Sequence, residues 1–301
     1  MTHTEKPKSE RSRILIVINR KAGKGGDDNL EDLISAQAKS DGFDFQVHTM
    51  SGKNEEELIR AAIKKYKPSV VAAAGGDGTV NLLAGILANT KIKLSIIPYG
   101  SANGMAKELN IGNRIDNALE LLANGIPKTI DLIRINGKIC IHLADVGLNA
   151  RVVKRFEGDT RRGILTYAKH LFGEMFLLKK YHFHIFYEGN TIRRKAVSMT
   201  FANASKYGTG AVINPEGILD DGRFELVIVK PFPRIKLLSI AWKMFLHTLH
   251  TSDYVEIIRC KKAMVISNKR TTLQIDGEII GKVKEINLEI LPKAITVLTP
   301  G

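Results

Sequence analysis

The stretch Val70-Val71-Ala72-Ala73-Ala74-Gly75-Gly76-Asp77-Gly78-Thr79-Val80-Asn81 constrains the fold more than any other part of the chain. An uncharged apolar run from Val70 to Ala74 reads as a strand covered on both faces. The glycines that follow lack Cβ atoms, so the backbone there can take positive φ and lie close to another surface. From Val80 to Leu87 the apolar spacing is that of a helix. A buried strand turning through glycines into a helix is the unit of a parallel α/β sheet.

The neighbouring sequence continues that rhythm. Arg13 to Asn19 is a second buried-strand run, followed by a glycine-bearing loop from Arg20 to Gly26. A helix is expected from about Asp27, with Leu30, Leu33 and Ile34 on one face. Strands are expected at Phe43 to Thr49 and Leu94 to Pro98, and a helix at Asn54 to Tyr66. From about Ile130 short β-rich segments take over: 138–146, 181–187, 196–203, 224–230, 263–267, 272–275 and 286–290, with turn residues at Glu188-Gly189-Asn190 and Asp221-Gly222. Helical insertions are expected at 164–180 and 235–249. The pattern predicts an α/β domain over 13–132 and a second, mostly antiparallel domain over 133–292, after a disordered tail over 1–12.

Forty-five Lys and Arg against 31 Asp and Glu leave a net charge of +14, which favours polyanionic partners. The segment from Arg151 to Lys195 carries 11 Lys/Arg and 4 Asp/Glu, half of that excess. Within it, Arg161, Arg162 and the apolar residues Leu171, Phe172, Met175 and Phe176 suit either docking at an anionic bilayer or an ordinary amphipathic core helix with a basic side. No nucleic-acid motif or aromatic stacking platform accompanies the charge, so nucleic acid is not an expected partner. No run reaches the ~18 apolar residues of a membrane span. Cys140 and Cys260 fit neither a disulfide nor a metal spacing, and the polar N-terminus is no secretory signal; a cytoplasmic protein with peripheral membrane contact is expected.

The glycine turn also carries chemistry. Glycines and a helix N-terminus offer backbone N–H groups to an anion, but Asp77 would repel bare phosphate unless a cation bridges them. Together they imply a nucleotide with Mg²⁺; the bland alternative is a tight turn with a capping Asp. Gly75, Gly76, Gly78 and Thr79 would cradle the phosphates, and Asp77 would hold Mg²⁺. Asn19, Lys21 and Lys24 lie on a loop that opens at the same carboxyl edge of a parallel sheet, where the lysines either reach phosphate or stand solvated. Ser101 and Asn103 follow the fourth strand at that edge, in residues that favour turns in any case.

Gly75-Gly76-Asp77-Gly78-Thr79, with Pro98-Tyr99-Gly100-Ser101-Ala102-Asn103 after it, resembles the signature of the diacylglycerol kinase catalytic domain family, which includes the sphingosine kinases. Asn19 with Gly23, Lys24 and Gly25 resembles that family's opening loop, and Asn214 to Gly222 and Gln274-Ile275-Asp276-Gly277-Glu278 resemble two later elements in the same order. The likeness runs from about Arg13 to Pro300. It implies an NAD-kinase-like nucleotide domain, a C-terminal β-sandwich, a site in the cleft between them, and a final strand, 293–301, that returns to the first domain. It implies an ATP- and Mg²⁺-dependent lipid kinase. Asn103 and Glu278 would contact nucleotide, Asp276 would accept the proton of the lipid hydroxyl, and Asp221, with Asp220, would hold a structural Mg²⁺. Without the likeness, Asp276-Gly277 reads as a hairpin turn and Asp220-Asp221 as another turn.

The sequence departs from the commonest bacterial pattern in one place: Gly104 follows Asn103 where an Asp is usual. Sphingosine-type members carry an acid at the position of Arg151, where it meets the lipid amine; an arginine would repel an ammonium, which favours a neutral or anionic glycerolipid. The alternatives are a sphingoid-base kinase, an NAD kinase, whose further motifs are missing, and a non-catalytic nucleotide or lipid sensor. Oligomeric state is open.

Overall fold

The computed structural model describes residues 11–21, 29–147, 179–208 and 210–301. The tail as far as residue 10, Lys24, Arg151, Arg161, Arg162 and the insertion expected over 164–180, up to residue 178, lie outside the described residues. The chain divides into two compact units, residues 1–130 with 294–301 and residues 131–293.

The first unit is built on the parallel strands β1 (Arg13–Ile18), β2 (Asp44–Thr49), β3 (Val70–Gly75) and β4 (Lys93–Pro98). β1 lies between β2 and β3, and β4 lies beyond β3. Burial explains the composition: Ile14 to Val17 and Val71 to Ala74 are fully buried, so no polar side chain is tolerated there. The connecting helices α1 (Leu30–Asp41), α2 (Glu55–Tyr66) and α3 (Asp77–Leu87) follow the apolar spacing, with Ile34, Ile59 and Leu83 completely buried. Gly42 ends α1 at φ +70°, where its N–H returns to the Ala38 carbonyl, the left-handed cap that glycine serves best.

Two further helices, α4 (Gly104–Glu108) and α5 (Ile115–Asn124), and the strand β5 (Ile126–Ile135) were not anticipated. The apolar face of α5 is Ala118, Leu119 and Leu122.

The second unit is antiparallel. Its strands are β6 (Lys138–Cys140), β7 (Leu143–Gly147), β8 (Tyr181–Tyr187), β9 (Asn190–Ala196), β10 (Ser198–Ala202), β11 (Phe224–Val229), β12 (Val255–Cys260) and β13 (Lys262–Ile275). β14 (Glu278–Thr299) pairs with β13 and then continues into the first unit, where Val297 aligns in parallel with Leu94 of β4. Besides β14, β13 serves two partners: its first half pairs with β8 and its last three residues with β7, and its register with β14 is irregular between Ile266 and Thr271. Such a bend lets one strand turn the corner of a sandwich. Phe183, Phe201 and Phe224 are completely buried in its core. The helical insertion after β11 is α6 (Leu237–Phe245), flanked by single 3₁₀ turns at Arg234–Lys236 and Leu249–Thr251.

Candidate active site

In the first unit, the loops after β1, β3 and β4 leave the same carboxyl edge, and the sheet changes direction between β1 and β3. Ligands of open α/β sheets bind at such a point. The structure brings the three loops together there. Asn19 donates its backbone N–H to the Ala74 carbonyl at 2.9 Å and its side-chain Nδ2 to Thr79 Oγ1 at 3.2 Å, while its Oδ1 accepts the Lys21 N–H at 3.1 Å. Thr79 is buried, so its hydroxyl braces the turn against Asn19 from beneath. Lys21 is exposed on that loop.

The turn after β3 packs on the turn after β4 backbone to backbone. A Cβ on Gly100 would lie 2.4 Å from the Gly76 Cα and 2.9 Å from Asn103 Oδ1; one on Gly75 would lie 2.4 Å from Thr79 Oγ1. Glycine is required there by contact, not by dihedral angle. Asp77, half-buried in the first turn of α3, accepts the Met105 N–H at 3.2 Å through Oδ1 and so ties α3 to α4. Asn103 sits at φ +49° and binds Gly100 twice: Oδ1 accepts its N–H at 2.8 Å and Nδ2 donates to its carbonyl at 2.9 Å. Its amide thereby shapes the turn. Ser101 is exposed at the tip. Gly104, the residue that departs from the commoner pattern, is buried at the start of α4.

In the second unit, Ile275 and Glu278 close a two-residue hairpin between β13 and β14, with Asp276 at φ +48° and Gly277 at φ +89°. This is the primed turn for which Asp-Gly is suited. Asp276 is only 5% exposed. Its carboxylate accepts backbone N–H groups from Ile141 at 2.9 Å, His142 at 3.0 Å and Leu143 at 2.9 Å, with the Cys140 thiol at 3.4 Å. These bonds explain why the expected strand over 138–146 is split into β6 and β7: residues 141 and 142 wrap the carboxylate. Burial pushes the Asp276 carboxyl above its usual range, opposed by His142 and the N–H donors. A carboxylate so enclosed holds this corner of the unit together. Glu278, the next acid on the turn, is exposed.

Asp145, buried in β7, receives the Thr200 hydroxyl, the Tyr207 hydroxyl and the Gln274 amide, and the Gln274 Oε1 in turn accepts the Gly277 N–H at 2.7 Å. Asp131, also buried, accepts the N–H groups of Gly222 and Lys293, both at 2.6 Å, and so pins the loop that carries Asp220 and Asp221. The sequence reading passed over both acids; a lone acid inside an apolar run, as in Ile130-Asp131-Leu132 and Ala144-Asp145-Val146, is the signal that would have found them.

Asp221, expected to hold a structural Mg²⁺, stands beside a cation of the chain itself. One of its oxygens accepts the Arg223 N–H at 2.9 Å and the other is paired with the Arg259 guanidinium, whose Nε also lies 3.3 Å from Glu225. Arg259 already supplies the positive charge there, and Asp220 is exposed beside it. Among the described residues no three His, Cys, Asp or Glu side chains are grouped to hold a metal. Asp77 is a different case: a single half-buried carboxylate fits a Mg²⁺ whose other ligands are phosphate oxygens and water.

A parallel nucleotide-type unit and an antiparallel sandwich, with these loops at the sheet edge, define an NAD-kinase-like architecture. Residues 13–135 match the diacylglycerol kinase catalytic domain, and residues 143–299 match the YegS C-terminal NAD kinase beta sandwich-like domain. The chain belongs to this diacylglycerol kinase family and is a lipid kinase. It is 26% identical to a probable lipid kinase YegS-like of Pectobacterium atrosepticum over 93% of this chain and 94% of that one. It is 29% identical to a diacylglycerol kinase of Staphylococcus aureus, covering 77% and 75% of the two chains. The crystal structure of a diacylglycerol kinase from Bacillus anthracis superposes with a TM-score of 0.79 at 20% identity, over 97% of this chain and 98% of that one, which establishes the shared fold.

Proposed function

We propose that this kinase transfers the γ-phosphoryl group of ATP, with Mg²⁺, to a hydroxyl of diacylglycerol or a related neutral or anionic glycerolipid. The observation that carries the nucleotide half is the glycine-to-glycine seating of the β3 turn on the β4 turn, which leaves the backbone at the start of α3 unscreened by side chains. Gly75, Gly76 and Gly78 take the phosphates on their N–H groups, Asp77 holds the Mg²⁺, and Asn19 and Thr79 brace the turn. The metal, when bound, neutralises charge on the transferring phosphoryl group. Lys21, exposed on the neighbouring loop, reaches phosphate from there.

On the acceptor side, the burial of Asp276 and the exposure of Glu278 favour a division of labour. Glu278 accepts the hydroxyl proton; Asp276 is a positioning residue that holds residues 140–143 and the hairpin tip. The acceptor class rests on the names of the relatives from Bacillus subtilis and Staphylococcus aureus, both diacylglycerol kinases, and on Arg151, which disfavours a cationic sphingoid base.

The test is a labelled-ATP assay over mono- and diacylglycerols, phosphatidylglycerol, sphingosine and ceramide, with products separated. Phosphorylated diacylglycerol is expected; labelled sphingosine alone would refute the glycerolipid assignment. With saturating substrates, Glu278→Gln should lower turnover by ~10²–10⁴-fold at an unchanged melting temperature. Asp276→Asn should chiefly destabilise, by about 1–3 kcal/mol, because it weakens a buried acceptor of three N–H groups. The reverse pattern would return the base to Asp276.

A further inference from the structure

We propose that the exposed face of α6 and the turn before it is a docking surface for an anionic lipid bilayer. The proposal deepens the lipid-kinase reading by naming the surface that meets the membrane, and only its activity test depends on that reading.

Large apolar side chains on this short segment are turned to solvent: Ile235 is 86% exposed, Trp242 66% and Leu246 54%. Spacings of seven and four residues put them on one side of a helical turn. Ile240 is buried, so the helix is anchored and the solvent-facing stripe is additional to its packing face. A single exposed leucine needs no explanation, but a clustered tryptophan, isoleucine and leucine do.

The charge around the stripe selects the occupant. From Leu226 to Ser252 the sequence has no Asp or Glu, while Lys230, Arg234, Lys236 and Lys243 fall within it. Lys230 is compensated by Glu256 at 3.8 Å. Lys243 reaches only neutral oxygens of Thr251, at 2.9 and 3.1 Å, so its charge is retained. Lys236 is exposed next to Ile235. Cations bordering an apolar stripe with an interfacial tryptophan match anionic headgroups above acyl chains. A second copy of the chain is a poor occupant, because it would bring the same cations and a net charge of +14 to the same face.

The helix is also tied to the acceptor end of its own unit. The Met244 carbonyl accepts the Val212 N–H at 3.0 Å, and Val212 bridges to Lys206, beside the Tyr207 that bonds to Asp145. Asp145 binds Gln274, which holds the Gly277 N–H of the Glu278 hairpin.

The chain has one tryptophan, so its emission reports on this face alone. Vesicles containing phosphatidylglycerol should shift the emission to the blue and brominated acyl chains should quench it, with much less effect from pure phosphatidylcholine. Sedimentation with the same vesicles should fall as salt rises, and should fall at least roughly tenfold in the Ile235→Ser/Trp242→Ser double variant at an unchanged melting temperature. Lys236→Glu should reduce it separately. Unshifted emission, or sedimentation indifferent to these substitutions, overturns the proposal. So does a concentration-dependent dimer that Trp242→Ser abolishes, which would give the face to a second copy. In the activity arm, the double variant should raise the apparent KM for lipid in vesicles and leave phosphorylation of a water-soluble short-chain acylglycerol unchanged. If no lipid is phosphorylated but vesicle binding follows the pattern above, the docking surface stands and the functional reading falls.

Discussion

Gly100→Ala tests whether the seating of the β4 turn on the β3 turn sets the phosphate site. The added methyl would sit 2.4 Å from the Gly76 Cα and 2.9 Å from Asn103 Oδ1. Carbon atoms in contact need roughly 3.5–4.0 Å, so the two turns must part by about 1 Å or more. The atom in the way is backbone, which cannot be relieved by a rotamer change. Overpacking of this kind costs about 1–3 kcal/mol, or about 2–12 °C in the melting of the first unit. The effect on catalysis should be larger than on stability, because a displacement of about 1 Å in a positioning element can lower the rate by ~10²-fold. Gly76→Ala provides the graded comparison, since its methyl would meet the Gly100 Cα at 3.3 Å. The order of ATP turnover should therefore be wild type, then Gly76→Ala, then Gly100→Ala, with melting temperature following the same order. Near-normal turnover in Gly100→Ala at an intact melting temperature would refute the argument that this contact positions the nucleotide.

The remaining expectations concern separate groups. Asp77→Asn should keep the fold and sharply weaken ATP turnover, with the Mg²⁺ requirement shifted to higher concentration; activity unchanged at limiting Mg²⁺ would remove Asp77 from the site. Burial pushes Glu225 up to about 7 from 4.5, opposed by the Asn214 amide and aided by the nearby Glu216 charge. The folded state therefore holds a proton that the unfolded state releases between those values, so stability should fall as pH rises from about 4.5 to about 7, by up to about 3 kcal/mol. Denaturant titrations should show that slope in the wild type and its loss in Glu225→Gln. Cys140 and Cys260 are both buried, the latter thiol pushed up to about 12 by burial and the former raised as well. Neither should react with alkylating reagents at neutral pH until the chain is unfolded, as mass spectrometry would show.

What was legible in the sequence follows from how local its causes are. The strands β1, β3 and β4 announce themselves because burial on both faces excludes charge beyond their first residue, and the glycine turns because contact excludes every side chain. Helix α5 was missed although Ala118, Leu119 and Leu122 keep helical spacing. Of β14, the sequence showed 286–290 and, through the family likeness, the returning piece 293–301; Lys282, Lys284 and Glu285 break the apolar pattern of its first part, where one face is exposed. The surroundings of Asp221 and Asp276 depend on partners far along the chain, respectively Arg259 and the N–H groups of residues 141–143. No local pattern encodes those partners.

The path of β14 has a consequence for biosynthesis. The segment 294–301 belongs to the first unit, and its Val297 aligns beside β4, yet it leaves the ribosome only after the whole second unit. Until it arrives, β4 has an unpaired edge and the nucleotide-type unit lacks a strand, although residues 1–130 were synthesised long before. That unit cannot complete itself in order of synthesis; it must wait while the whole sandwich is made. Such a long-range closure slows folding and leaves an adhesive strand edge open in the interval. Nascent chains of this protein should therefore be chaperone clients for most of their elongation, and the two units reach their final form nearly together.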